Sequence, residues 1–321
     1  MMAPSPLRLS TPARSPWVRS PLKWAGGKTR VLPTLVPVLE ALPLGPKGRF
    51  IEPFAGSLTV LLNLPAVPSV VCDKNAVLMN FYAALKAHGA SFVSSLEPLF
   101  TPSGNTREVF DGLRAEFNAS HDPERRAQIF IYLNKHAFNG LYRENSKGVF
   151  NVPFGRFELV SFPRDELLHL AERLRHVTLA PTGDFERLVD EAQAGDVVYC
   201  DPAYVPLSDT SNFTSYGADG FDFDDQFRLA RAAERAALRG ASVVISNHDT
   251  ELSRDLYARA EIMNFNIQRS ISRAGAERRK APELLAIYRP SESVAEAEPF
   301  GSRMKIKAAR SKTPSKAKAT P

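Results

Sequence analysis

Residues 195–204 read GDVVYCDPAY: a short apolar run that stops on an acid, then a proline and, two residues later, an aromatic ring. A run of that length fits a buried parallel strand, and a strand ending on Asp201 puts its acid at the carboxyl edge where open α/β sheets bind ligands. An amino group on a flat heteroaromatic ring is a poor nucleophile because its lone pair is shared with the ring. Chemistry on it needs acceptors for the amino hydrogens and an aromatic face to clamp the base. Asp201 and the Pro202 carbonyl offer the acceptors and Tyr204 the face. The plainer reading of the same residues is an acid capping a strand-to-helix turn, followed by a core tyrosine.

Outward from this stretch the texture alternates. RFIEPFAG (49–56) reads as a strand ending on a glycine-bearing turn, with Ser57 as N-cap of a helix over 57–64. VPSVVCDKN (67–75) is a second strand, ending on Asp73, where sheets of this kind hold a ribose diol. HVTLAP (176–181), SVVISNHD (242–249), EIMNFNIQRSI (261–271) and ELLAIYRP (283–290) are further strand candidates, with helices expected at 164–175 and 222–239. Between 76 and 163 the pattern is helical with polar loops. The expected fold is an α/β sheet interrupted by an inserted helical module.

Composition excludes several classes. The 321 residues are 44% apolar and 24% charged, with no run approaching the roughly 18–20 apolar residues of a membrane span and no secretory leader at the N-terminus. Cys72 and Cys200 each lie in an apolar run before an aspartate, which favours small buried thiols in a reducing compartment, and six scattered histidines show no ligand spacing, so no metal is expected. The net charge of +6 is a property of the ends: the first nineteen residues and 303–321 hold ten basic residues and no acid. Removing those ten from 41 leaves 31 basic against 35 acidic residues in the body. The tails, 1–18 and 291–321, are expected to be disordered, and the basic C-terminal one either attracts phosphates or merely solubilises.

GGKT at 26–29 imitates the end of a phosphate loop, but Leu22 stands where that loop needs glycine, and PFAGSL (53–58) lacks the spaced glycines of a dinucleotide site. A nucleoside ligand without a pyrophosphate fits the pattern better.

PLKWAGGK (21–28), FIEPFAGS (50–57), NKHAFNGLYRENSKGVFNVPFGRF (134–157), DPAY (201–204) and ISNHDT (245–250) together resemble, in order and spacing, the Dam family of DNA adenine-N6 methyltransferases, the D12 class acting at GATC. The resemblance covers about residues 19–290. It implies a Rossmann-like S-adenosylmethionine-dependent methyltransferase sheet, with a catalytic part at 19–75 and 164–290 and an inserted helical target-recognition domain at 76–163. It further implies double-stranded DNA as partner, S-adenosylmethionine as cofactor, and a cytoplasmic, nucleoid-associated monomer without metal or membrane. By the same resemblance Asp201, Pro202, Tyr204 and Lys28 serve catalysis, and Trp24, Lys28, Phe54, Gly56, Asp73, Asp184, Phe185 and Asp201 bind the cofactor. Arg143 would read a guanine, Leu141 and Pro153 a thymine methyl, and Phe138 would insert beside the extruded base. Lys23, Asn139, Asn145, Arg156 and Phe157 complete the DNA-facing set. Arg278 and Arg279 join it from a basic hairpin tip that also carries Arg269, Arg273 and Lys280. Leu141 and Pro153 also read as plain packing, and Arg143 as an ion pair with Glu144.

Three positions depart from the family pattern. Ala203 replaces a second proline, Leu58 a second glycine whose loss is expected to crowd the cofactor or shift the backbone, and Phe157 a tyrosine. An alternative therefore stands beside the enzyme: a catalytically impaired DNA-binding protein, or an adenine methyltransferase with an altered site.

Overall fold

The computed structural model describes residues 17–206, 221–268 and 280–290. Residues 1–16 of the expected N-terminal tail, the C-terminal tail from 291 and the basic hairpin tip, with Arg269, Arg273, Arg278 and Arg279, lie outside the described residues. Trp17 and Val18, expected to belong to the disordered tail, instead pack against the core, the Val18 amide donating to Asn63 Oδ1 at 2.9 Å.

Seven strands form one sheet: β1 (Phe50–Glu52), β2 (Ser69–Val71), β3 (Val177–Leu179), β4 (Val197–Cys200), β5 (Ser242–His248), β6 (Glu261–Gln268) and β7 (Lys280–Tyr288). Their order is β3-β2-β1-β4-β5-β7-β6, parallel throughout except β7, which runs antiparallel to both neighbours. The strand order reverses between β1 and β4, so their carboxyl ends open a crevice at the topological switch point. Every strand expected from sequence is present.

Strand alternation sorts the core into two layers. Val197 and Tyr199 of β4, Val244 of β5 and Leu285 and Ile287 of β7 belong to one apolar cluster; Val198, Cys200, Val243, Ile245, Leu284 and Ala286 belong to the other. The first layer is covered by α1 (Leu32–Glu40), whose buried Leu32, Leu35, Val36 and Leu39 form one helical stripe, by α2 (Ala76–Leu96), and by α5 (Arg164–Leu174). The second layer is covered by α6 (Phe185–Asp190), α7 (Phe223–Leu238) and α8 (Glu251–Leu256). α7 presents mostly alanines to the sheet, which lets it lie close, and a capping box between Asp222 and Asp225 starts it. Both cysteines are buried free thiols.

The segment between β2 and β3 leaves the sheet and returns to the neighbouring strand. It begins with α2, capped by the Asn75 side chain on the amides of Val77 and Leu78, and continues with α3 (Arg107–Ala119) and α4 (Pro123–His136). The buried side chains of these helices, Phe81, Phe110 and Phe130 among them, join the cluster that lines the first face of the sheet. The inserted segment therefore shares a continuous core with the sheet.

One expectation fails. No helix starts at Ser57; residues 61–63 make a single 3-10 turn, and the Ser57 hydroxyl lies 2.8 Å from Thr59 Oγ1. Leu58 explains this, since it adopts φ 55° and breaks any helical start.

The entrances of β1 and β4 are tied by a polar clasp. The Asp196 carboxylate, almost fully buried, accepts from the Arg49 amide at 2.8 Å, the Arg49 guanidinium at 2.7 Å and the Gln193 amide at 2.9 Å. Burial alone would raise this carboxyl, but the Arg49 and Gln193 donors hold it below the usual range. Its contribution is thus present above the unfolded carboxylate value and is lost as pH falls through the folded one. Asp196→Asn is expected to cost about 3 kcal/mol at pH 7, the low end for one side of a buried pair because Arg49 stays partly solvated. Urea denaturation should show that gap closing as the pH is lowered through the folded value.

Candidate active site

A cavity of about 510 Å³ opens at the carboxyl ends of β1, β2 and β4. That volume suits a nucleoside-sized ligand. Three acids reach it from three adjacent strands: Glu52 ends β1, Asp73 follows β2 and Asp201 follows β4.

Asp201 forms an ion pair with Lys28, Nζ to Oδ2 at 2.6 Å. Lys28 is itself buried, donates to the Gly26 carbonyl at 2.9 Å, and lies 4.8 Å from the centre of the Tyr204 ring. Burial raises the Asp201 carboxyl, and Lys28 pulls it back. Its other oxygen, Oδ1, is buried without a hydrogen-bond partner. Pro202 is buried, Ala203 lines the cavity, and Tyr204 stands beside it with its hydroxyl 3.3 Å from Glu283 Oε2 and its ring edge-on to His248.

Asp73 accepts from the Gly56 and Asn75 amides, each at 2.9 Å. Gly56 sits at φ 45°, and a Cβ there would meet the Trp24 ring at 3.2 Å, so glycine is required both for the turn and for the approach of Trp24. The Tyr82 hydroxyl donates to the Gly56 carbonyl. Beyond the turn, Phe54 and Phe185 stack with centroids 5.3 Å apart, and Phe221 closes the group edge-on at 5.6 Å from Phe54. Asp184 caps α6 through the Glu186 amide and pairs with Arg228 at 2.6 Å. Leu58 does not crowd this space: it takes the left-handed conformation and turns its side chain wholly into the core.

The residues expected to face DNA gather on the segment between α4 and α5. Phe138, Asn139, Leu141, Arg143, Asn145, Pro153 and Arg156 are exposed, and Phe157 is half-buried. Phe138 and Leu141 are 51% and 42% exposed, an apolar surface that no part of the described chain covers. The Phe138 amide donates to the Pro153 carbonyl, which places those two side by side. Arg143 Nε donates to Asn151 Oδ1 at 2.9 Å, a bond that orients the guanidinium and uses none of its terminal fork. Glu144 is bonded instead by the Tyr142 hydroxyl. Asn145 accepts from the Lys147 and Val149 amides and so closes the turn at the tip.

Lys23 and Trp24 join the two regions. The Lys23 amide donates to Asn134 Oδ1 at 2.9 Å, and Asn134 Nδ2 donates back to the Lys23 carbonyl at 2.6 Å. Lys23 Nζ donates to the Lys135 carbonyl and lies 4.0 Å over the Phe157 ring. Trp24 lines the cavity and stacks on Tyr142 of the exposed segment. Asn134, Tyr142, Phe221 and Glu52 were not singled out from sequence. Asn134 and Tyr142 lie inside the 134–157 motif and Glu52 inside FIEPFAGS, so the signal was there; Phe221 stands in a polar stretch without a periodic partner.

Among the described residues no group of acids, histidines and cysteines could hold a metal ion, and no helix is long and apolar enough to cross a membrane.

A family model described as D12 class N6 adenine-specific DNA methyltransferase matches residues 24–271. The DNA adenine methylase of Escherichia coli (strain K12) is 42% identical over 272 residues, covering 85% of this chain and 96% of its own length. The DNA adenine methylase of Vibrio cholerae serotype O1 (strain ATCC 39541 / Classical Ogawa 395 / O395) is 42% identical over 274 residues, with 85% and 96% covered. That of Serratia marcescens is 43% identical over 272 residues, with 84% and 98% covered.

Glu52 carries a consequence for stability. It is 3% exposed, its Oε2 has no hydrogen-bond partner, and burial together with Asp201 and Asp73 raises its carboxyl well above the usual range against the pull of Lys28. The folded protein thus keeps a proton that the unfolded chain releases above about pH 4.3. Stability from this group is full below that pH and declines as pH rises towards the folded value. Glu52→Gln keeps the neutral shape, so its stability relative to the parent should climb in urea melts as pH rises above the unfolded carboxylate value towards the folded one. A gap that stays constant with pH would contradict this account.

Proposed function

Because this chain belongs to the D12 class of N6 adenine-specific DNA methyltransferases, we propose that it takes its methyl group from S-adenosylmethionine and delivers it to an adenine swung out of a GATC site. The observation that carries the reading is the buried, unpartnered Oδ1 of the cavity-lining Asp201, with its companion oxygen held by Lys28.

The cavity residues fit the donor. The ribose would lie on Asp73, whose backbone bonds hold both oxygens in place. The purine would lie against the Phe54 and Phe185 rings, with Asp184 at its edge. The methionine part would follow the Phe54–Gly56 turn near Trp24 and Lys28. Bound there, S-adenosylmethionine supplies an electrophilic methyl group on a sulfonium.

The chain's own residues do the rest. Asp201 Oδ1 and the Pro202 carbonyl accept the two amino hydrogens of the extruded adenine, and Tyr204 stacks on its face. That pose would draw the N6 lone pair out of conjugation with the ring and aim it at the methyl group. The methyl group would pass to N6 in one displacement, the new C–N bond replacing the sulfonium's C–S bond, and the extra N6 proton would leave to solvent. Positioning in a water-poor cavity supplies most of the rate gain, and no covalent enzyme intermediate is needed. Both cysteines are buried free thiols outside this geometry.

Recognition falls to the exposed segment. Arg143 would present its fork to O6 and N7 of a guanine, Leu141 and Pro153 would meet a thymine methyl, and Phe138 would fill the gap left by the extruded base. Asn139, Arg156 and Lys23 would face phosphates, with Asn145 holding the turn. Arg278 and Arg279 would approach the backbone from the hairpin tip.

Two measurements test the reading. Labelled methyl transfer from S-adenosylmethionine into a GATC duplex should fall at least about a hundredfold in Asp201→Ala, the scale of one lost oriented group in a preorganised site. Unchanged labelling would remove Asp201 from its role. Arg143→Ala should relax discrimination at one guanine by about 1–3 kcal/mol. A loss equal across all sequences would make Arg143 a phosphate contact instead.

A further inference from the structure

The loop that carries Asp201 and Tyr204 has no regular secondary structure between Asp201 and Pro206. Proline locks φ at residues 202 and 206, whereas Ala203, Tyr204 and Val205 have no such internal lock. A stacking ring is only as well placed as the backbone on either side of it.

That backbone is held by two buried polar side chains, Gln226 and Asn247, which are tied to each other and to the Tyr257 hydroxyl, and His248 Nδ1 meets the Val205 carbonyl at 2.6 Å. Gln226 of α7 donates from Nε2 to the Ala203 carbonyl at 2.6 Å. Asn247 of β5 accepts the Val205 amide on Oδ1 at 2.9 Å. Asn247 Nδ2 donates to Gln226 Oε1 at 3.1 Å and lies 2.9 Å from the Tyr257 hydroxyl, which donates to the same Gln226 oxygen at 3.1 Å. All three side chains are fully buried, in a layer otherwise packed with alanine, leucine and valine. Burying so many polar atoms is costly unless each is satisfied, and a satisfied network permits one arrangement. The two backbone groups it grips flank Tyr204, one on each side.

We propose that Gln226, Asn247 and Tyr257 are positioning residues for methyl transfer, a buried triad that fixes the backbone on both sides of Tyr204 and so sets the stacking plane opposite Asp201. The inference rests on the roles assigned above to Asp201 and Tyr204. None of the three touches the cavity; they act through the loop. Removing one should let the ring drift, and a misplacement of about an ångström costs up to a hundredfold in rate.

The test uses the full chain and single-turnover transfer from S-adenosylmethionine to a GATC duplex. Gln226→Met, which keeps the length and removes both polar atoms, should slow transfer about tenfold to a hundredfold. The KM for S-adenosylmethionine should stay within about twofold of the parent. Adding Ala203→Pro, which locks the torsion next to Tyr204, should bring the rate back to most of that of Ala203→Pro measured alone. Should Gln226→Met fail to fold, the same comparison is read in Gln226→Glu, which replaces the donor with an acceptor and keeps the shape. An unchanged rate in the Gln226 variant overturns the proposal. So does a loss that Ala203→Pro does not recover, because the triad would then be structural support only. Asp201→Ala run beside them separates the two readings: if it transfers normally, the active-site assignment itself falls, and the triad's role with it.

Discussion

Three carboxyl groups brought to one cavity from adjacent strands repel one another, and the site depends on how that repulsion is resolved. Lys28 settles one acid by pairing with Asp201, two backbone amides settle Asp73, and Glu52 yields by keeping its proton. Each solution has a different structural owner. Lys28 arrives from the N-terminal segment ahead of β1, the Asp73 donors come from the turns after β1 and β2, and Glu52 needs only burial. What results is a cavity with one buried carboxylate oxygen left over, on Asp201.

The N-terminal segment is where the two halves of the work meet. Within six residues it contributes Lys23 to the clasp with Asn134, Trp24 to the wall between cavity and exposed segment, and Lys28 to Asp201. The clasp spans 111 positions in sequence, and its bonds are reciprocal between a backbone peptide and a side-chain amide, so neither partner can shift alone. A Cβ on Gly140 would overlap the Lys23 side chain, which shows how closely the same segment is pressed against the turn that follows α4.

Much of this was legible in the sequence for definite reasons. Buried parallel strands are short apolar runs, and their ends declare themselves when an acid follows, as at Asp73 and Asp201; the sheet and its ligand edge could be read from that alone. The order β3-β2-β1-β4-β5-β7-β6 could not, because pairing is decided by contacts among distant segments. Ser57 misled because its residue type favours helix caps, while the backbone there obeys Leu58, whose side chain is drawn into the core at the expense of a left-handed φ. Glu52 was in plain sight, but an acid at a strand end reads as exposed until its neighbours close over it. Asn247 lies inside the ISNHDT motif, but Gln226 and Tyr257 carry no local signal, and the role of all three lies in a meeting of segments distant in sequence.

The chain leaves the sheet after β2 and rejoins it at β3, directly alongside, so the excursion can change in length without altering strand order. Its two ends are not equally free to evolve. Helices α2 to α4 contribute side chains to the same apolar mass that backs β1, β4 and β5, and exchanging them wholesale with a relative's would cut through that mass. The stretch from Phe138 to Phe157 keeps most of its surface in solvent, anchored chiefly by Phe150 and Val152. On the recognition role proposed for it, that short ribbon is where grafting or drift would change sequence preference with the cavity left undisturbed beneath it.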